Sequence, residues 1–306
     1  ALSSKNSVAL AIGVSLAENV ISNDLSAFIK DASLIKTDGG NIVLTADDNS
    51  AIDADAIAVA VSIAVGGSKS LAISGGGVEA TNVILTKTNA YIENSRVGTA
   101  AAPVGSVDIN VESTSAINAT VGAVAASIGV GGSSTGVGLA VGAAVARNFI
   151  GWDPNGVDVA QDYISTETPS QLNPGDMVKI SSGPMSGELF EFIGGTLTDG
   201  DLNTDGNQVI DLSTQSYSDG STWRHASLGA APAEVQARIL DSSLQAERDL
   251  TLKAIGNQII DALVFAGAMA VSGGAKTGIG VSGAGVVAEN RISSLVTAAV
   301  IGDGAV

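Results

Sequence analysis

The sequence predicts an all-β protein: an elongated parallel β-solenoid (β-helix) of about 65-residue repeats, carrying a small inserted β-rich module. Three observations predict it. Apolar residues recur at every second position over long stretches, four such stretches share one construction, and a segment of different composition interrupts one interval between them.

The alternation is clearest in "AIAVAVSIAVGG", where Ile57, Val59, Val61, Ile63 and Val65 alternate with Ala56, Ala58, Ala60, Ser62 and Ala64. Period two is the mark of a strand, because successive side chains point to opposite faces. One face is bulky and the other nearly flat. The bulky face is expected inward, as core, and the alanines outward. Gly66-Gly67-Ser68-Lys69 then breaks the strand before the alternation resumes.

The construction occurs four times. Val8, Leu10, Ile12, Val14 and Leu16 form the first copy; Val124, Ile128 and Val130 lead the third; Leu263, Phe265, Met269 and Val271 lead the fourth. Each copy closes on an Ala-x-Asn tripeptide whose asparagines are Asn19, Asn82, Asn148 and Asn290, at intervals of 63, 66 and 142 residues. "SAFIKDASL", "NAYIENSRV" and "QARILDSSL" follow, aligning Ala27, Ala90 and Ala237. A period of about 65 exceeds the roughly 20–50 residues usual for solenoid repeats, so it is expected to divide into three coils of about 21. Short strands joined by Gly, Asn, Asp and Ser turns would make each coil, and stacking would bury the large residues. The repeated patterns include both ends of the sequence, and the chain is expected to be a segment of something longer.

The long interval contains an insertion from about Trp152 to Pro232. It holds five of the six prolines, both tryptophans, the single histidine and two of the three tyrosines. The expected organisation is therefore repeats over 1–151, a β-rich module over 152–232 and the repeats again over 233–306. Insertions in repeat proteins map to loops, often on a binding face.

Composition narrows the function. A net charge of −17 with no basic run excludes a nucleic-acid partner, because phosphates would be repelled. The absence of cysteine removes disulfides and thiolate metal sites. No stretch reaches the roughly 18 apolar residues of a transmembrane helix. A ten-residue alternating strand is long enough to cross a membrane in a barrel, but aromatic girdles and a polar lumen face are missing, and no membrane span is expected. The Ala/Gly/Ser face is covered either by another layer of the same molecule or by a neighbouring chain.

Chemistry-bearing motifs are few. His225 is the only histidine and no Gly-x-Ser-x-Gly elbow accompanies it. The glycine runs lack the Gly-Lys-Ser/Thr ending of a phosphate loop. Asp201, Asn203 and Asp205, followed by Gly206, match the opening of a calcium loop, although Asp211 falls one place short of the closing acid at Leu212. An acidic turn is the competing reading, as it is for Asp47, Asp48, Asp53 and Asp55. Trp152, Tyr163, Tyr217 and Trp223 are the candidate ligand- or surface-binding residues, able to stack on carbohydrate. No residues are assigned to catalysis and no cofactor is expected beyond that calcium ion.

"AFIKDASLIKTDGGNIVLTADDNSAIDA" resembles the haemagglutinin-type β-helix repeats of very large bacterial surface proteins, with Ala/Ser-rich turns and short "NIVLTA" strands. "AIAVAVSIAVGG" and the "GELFEFIGG" and "DLSTQSYSDGSTW" parts of the insertion are similar to segments recurring in giant proteins of that kind. The resemblance implies a secreted, surface-attached structural or adhesive segment, at the bacterial cell surface, whose partners are neighbouring repeats and a carbohydrate or cell surface. A self-assembling filament or sheath, packing copies through their Ala/Gly/Ser faces, is the alternative. A polysaccharide-acting enzyme would need clustered acids beside a groove of aromatics.

Overall fold

The computed structural model describes residues 1–154, 161–182, 188–198, 210–217, 219–226 and 229–302. The chain divides into two units, Ala1–Gly151 with Pro232–Val306, and Trp152–Ala231. The second begins at the expected residue and ends one residue before Pro232. Among the described residues the protein is all-β, with one 3-10 turn at Leu212–Thr214.

The first unit is made of unusually long strands. β1 (Asn6–Lys30), β2 (Ile42–Gly66), β3 (Lys69–Glu93) and β4 (Val107–Gly131) have 25 residues each, about 80 Å of strand. β5 (Thr135–Ile150) follows, and the chain then enters the second unit. That unit holds a four-stranded sheet of β6 (Tyr163–Ile164), β7 (Met177–Lys179), β8 (Leu189–Phe192) and β9 (Trp223–His225), in the order β9-β8-β7-β6. Back in the first unit come β10 (Ala233–Leu240), β11 (Leu250–Gly274), β12 (Thr277–Ile292) and β13 (Ser294–Ile301).

Two parallel sheets result. β2, β4 and β11 form sheet I in that order. Sheet II runs β1, β3, then β5 and β10 end to end, then β12 and β13 end to end. The chain alternates between the sheets, so one circuit is one strand of each, and about 65 residues make a single circuit. This corrects the expected three coils of about 21. The acids of "ADDNSAIDADA", expected in an acidic turn, lie inside a strand. In-register parallel pairing supplies their backbone hydrogen bonds along the whole strand, so their turn propensity is overridden.

The connections differ at the two ends. Gly66, Gly131 and Gly274 open the tight ones, where an added Cβ would stand 2.1–2.3 Å from the carbonyl oxygens of Lys69, Thr135 and Thr277. Only glycine allows that approach. At the other end Asp31, Asn94 and Asp241 adopt positive φ, a conformation that Asp and Asn tolerate. They occupy equivalent corners, and Asn94 Nδ2 donates to Asp31 Oδ1 at 2.6 Å.

The placement of the two faces is the reverse of the expected one. Ile57, Val59, Val61 and Ile63 are 49–60% exposed, whereas Ala56, Ala58, Ala60 and Ala64 are at most 4% exposed. The physical reason lies in how closely the sheets approach. A Cβ on Gly13, Gly76 or Gly142 would lie 2.7–2.9 Å from the carbonyl oxygens of Val59, Val124 and Gly267 on the facing sheet. With backbone against side-chain stubs, Ala, Gly and Ser fill the space between the sheets in this half of the strands, and the first larger residues, Val78 and Val121, are buried at its inner limit. Toward the other half the interior takes larger residues: Ile52, Ile84, Ile117 and Ile150, then Ile92 and Ile109, are buried between the sheets. The Ala/Gly/Ser faces therefore line the first unit's own interior.

Candidate interaction surface

The longest run of outward apolar residues lies at the tight-turn end of the strands; beyond it Val20, Phe28, Val43 and Ile259 stand outward singly among polar residues. In sheet I the outward residues from Ile57 to Val65 are all apolar, and those before them include Asp47, Asn49, Asp53 and Asp55. In the neighbouring strands Val124, Ile128 and Val130, then Leu263, Phe265 and Met269, stand on the same face. Sheet II repeats the arrangement on the opposite side of the unit. Val8, Leu10, Ile12, Val14 and Leu16 face outward and are 65–75% exposed. Leu71 and Ile73, Val137 and Leu139, and Ile279 and Val281 continue the rows. Glu18, Glu79, Arg147 and Glu289 border this band, with Arg147 paired to Glu79.

Charge is segregated accordingly. In a chain with 31 acidic residues, none falls in 1–17, 56–78, 121–146 or 262–288. The charged side chains of those stretches are Lys5, Lys69 and Lys276, all at the tight turns. The turns stack on one another: Ser68 N donates to Lys5 O at 2.7 Å, and Lys276 N to Ser134 O at 3.1 Å. A shallow cavity of about 310 Å³ lies beside them, with Val8, Leu71 and Val137 as apolar wall and Lys69 at its polar lip. The signal for this surface was present in the sequence as the distribution of acids, not as any motif.

The aromatic candidates occupy different settings. Tyr217 and Trp223 are core residues of the second unit, 8% and 3% exposed, packed with Phe190 and Phe192. The Tyr217 and Trp223 rings lie 4.6 Å apart, and the Phe192 and Trp223 rings 5.1 Å. With their faces covered they are not a platform for sugars, because a module of this size needs its bulkiest rings as core. Trp152 and Tyr163 are half-buried, and Tyr163 Oη donates to Gln171 O at 3.4 Å. Tyr217 Oη donates to Leu212 O at 2.8 Å, and burial pushes its pKa above the usual tyrosine value. The stability this contributes is present below the unfolded pKa near 10 and lost as pH rises beyond it. An aromatic pair that sequence reasoning passed over stands on sheet II, where the exposed Phe28 ring stacks on the half-buried Tyr91 ring 5.3 Å away.

Asp201, Asn203 and Asp205 lie outside the described residues. Asp211 caps the 3-10 turn, accepting from Ser213 N at 2.9 Å and from its hydroxyl, and these hydrogen bonds lower its pKa. Of the other acids, Asp47, Asp53 and Asp55 face outward from β2 and are not in a turn. Asp48 faces inward, accepting from Asn23 Nδ2 at 3.3 Å and Ser50 Oγ at 3.0 Å. Among the described residues no three His, Cys, Asp or Glu side chains gather as a metal site. For His225 the structure describes the backbone only, paired with Phe190. Comparison with family models, curated proteins and solved structures returned no match to the chain.

Proposed function

We propose that the chain is a β-solenoid repeat segment of a large extracellular bacterial surface protein, with a structural or adhesive role. The observation that carries this reading is the equivalence of the circuits. Ala27, Ala90, Ala237 and Ala298 occupy one rung, as do Asn19, Asn82, Asn148 and Asn290, so any circuit can follow any other. The acidic, cysteine-free composition fits an exported protein. Antibody raised against the second unit tests it: intact cells of the producing bacterium should label without permeabilisation. Labelling only after permeabilisation, or turnover of a polysaccharide by the pure chain, contradicts the reading.

A further inference from the structure

We propose that the apolar end of the first unit inserts edge-on into the hydrocarbon of a lipid bilayer, with the turn lysines at the headgroup phosphates it reaches. The expectation of no membrane span rested on missing aromatic girdles and a missing polar lumen face, which are marks of a barrel; the bulky residues were expected, separately, to be core. They are outside, on both faces, at the same level.

The dimensions fit lipid. The bands Val8–Leu16 and Ile57–Val65 each rise about 27 Å, against about 30 Å of bilayer hydrocarbon and an apolar band of about 25 Å in membrane barrels. Both bands end on charge, at Glu18 on one face and Asp55 on the other. Charge complementarity fits as well. Lys5, Lys69 and Lys276 sit at the leading edge, and no acid accompanies them there. Ammonium groups on apolar stems are suited to anionic lipid phosphates.

A second copy is the weaker occupant. The outer band of sheet I is three strands wide, a footprint of roughly 400 Å², below the roughly 800 Å² per partner of a stable interface. One neighbour also covers only one of the two bands, whereas a bilayer covers both. Within the band the backbone groups of β3, β4 and β5 are paired on both sides, as hydrocarbon requires. Hydrocarbon does not tolerate open sheet edges. The edges of β1 and β2, and of β11 and β12, must then be joined to further circuits, and the inserted form is an end-to-end array.

The lack of cysteine makes the test direct. Val61→Cys and Asp53→Cys each receive an environment-sensitive fluorophore, and the full chain is mixed with phosphatidylcholine vesicles with and without phosphatidylglycerol. The label at position 61 should shift to the blue, be quenched by nitroxides deep in the acyl chains, and respond more strongly with the anionic lipid. The label at 53 should stay in water. The double variant Ile12→Glu, Val61→Glu changes only outward side chains. It should keep its circular dichroism and melting temperature while losing about tenfold or more of its vesicle binding. The proposal is overturned if position 61 stays aqueous on vesicles, if raising chain concentration without lipid gives the same shift, or if the double variant binds undiminished.

Discussion

Asn82 is fully buried, accepts from Asn19 Nδ2 and donates to Asn148 Oδ1, both at 2.8 Å. Asn148 donates in turn to Asn290 Oδ1 at 2.8 Å. The side-chain amides make a head-to-tail ladder between the alanine-lined and isoleucine-lined halves of the interior. Polar groups can sit there because each finds its partner one circuit away. Asn82→Ala removes two hydrogen bonds and strands the Asn148 carbonyl oxygen in the interior, for an expected loss of about 2–3 kcal/mol in denaturant unfolding. Asn19 lies on an edge strand, where water can replace a partner, and Asn19→Ala should cost about 1 kcal/mol or less. A larger loss at position 19 than at 82 contradicts this account. The Ala-x-Asn recurrence was legible in the sequence. Its role was not, since the amides meet only when successive repeats stack in register.

At the scale of the strand, alternation identified the elements but was symmetric between the faces. Period two says that bulky and small residues part company, and is silent on which row is covered. The inward glycines Gly13, Gly76 and Gly142 carry the missing information, because they mark where the facing backbone approaches. The insertion was legible from composition and interval, and the register explains why it is tolerated. Ile150 pairs with Ile84 and Ala233 lies beside Ser294, so the second unit leaves and re-enters sheet II across one residue position. In the next circuit Ser293 alone fills that place, between Ile292 and Ser294. Deleting Trp152–Pro232 leaves Gly151 there, and β5, Gly151 and β10 then fill the 25-residue length of β3. The shortened chain should unfold in one cooperative transition within about 5 °C of the parent. Loss of cooperativity would show that the second unit holds sheet II together.

For the first unit as a whole, the architecture makes face area. Each circuit of about 65 residues advances the stack by only about 4.8 Å, while its strands extend for about 80 Å. Along those strands one end of both outer faces is apolar and free of acids, and the other end carries the acids among mixed polar, basic and single apolar residues. The central claim is that Ala, Gly and Ser fill the interior at the apolar end and the bulky residues stand outside. Single cysteines at successive positions from 56 to 64, in the cysteine-free chain and without lipid, test it most directly through their rates of reaction with a water-soluble maleimide. The account predicts fast modification at 57, 59, 61 and 63 and protection at 56, 58, 60, 62 and 64. Protection of the odd positions with fast modification of the even ones would contradict it.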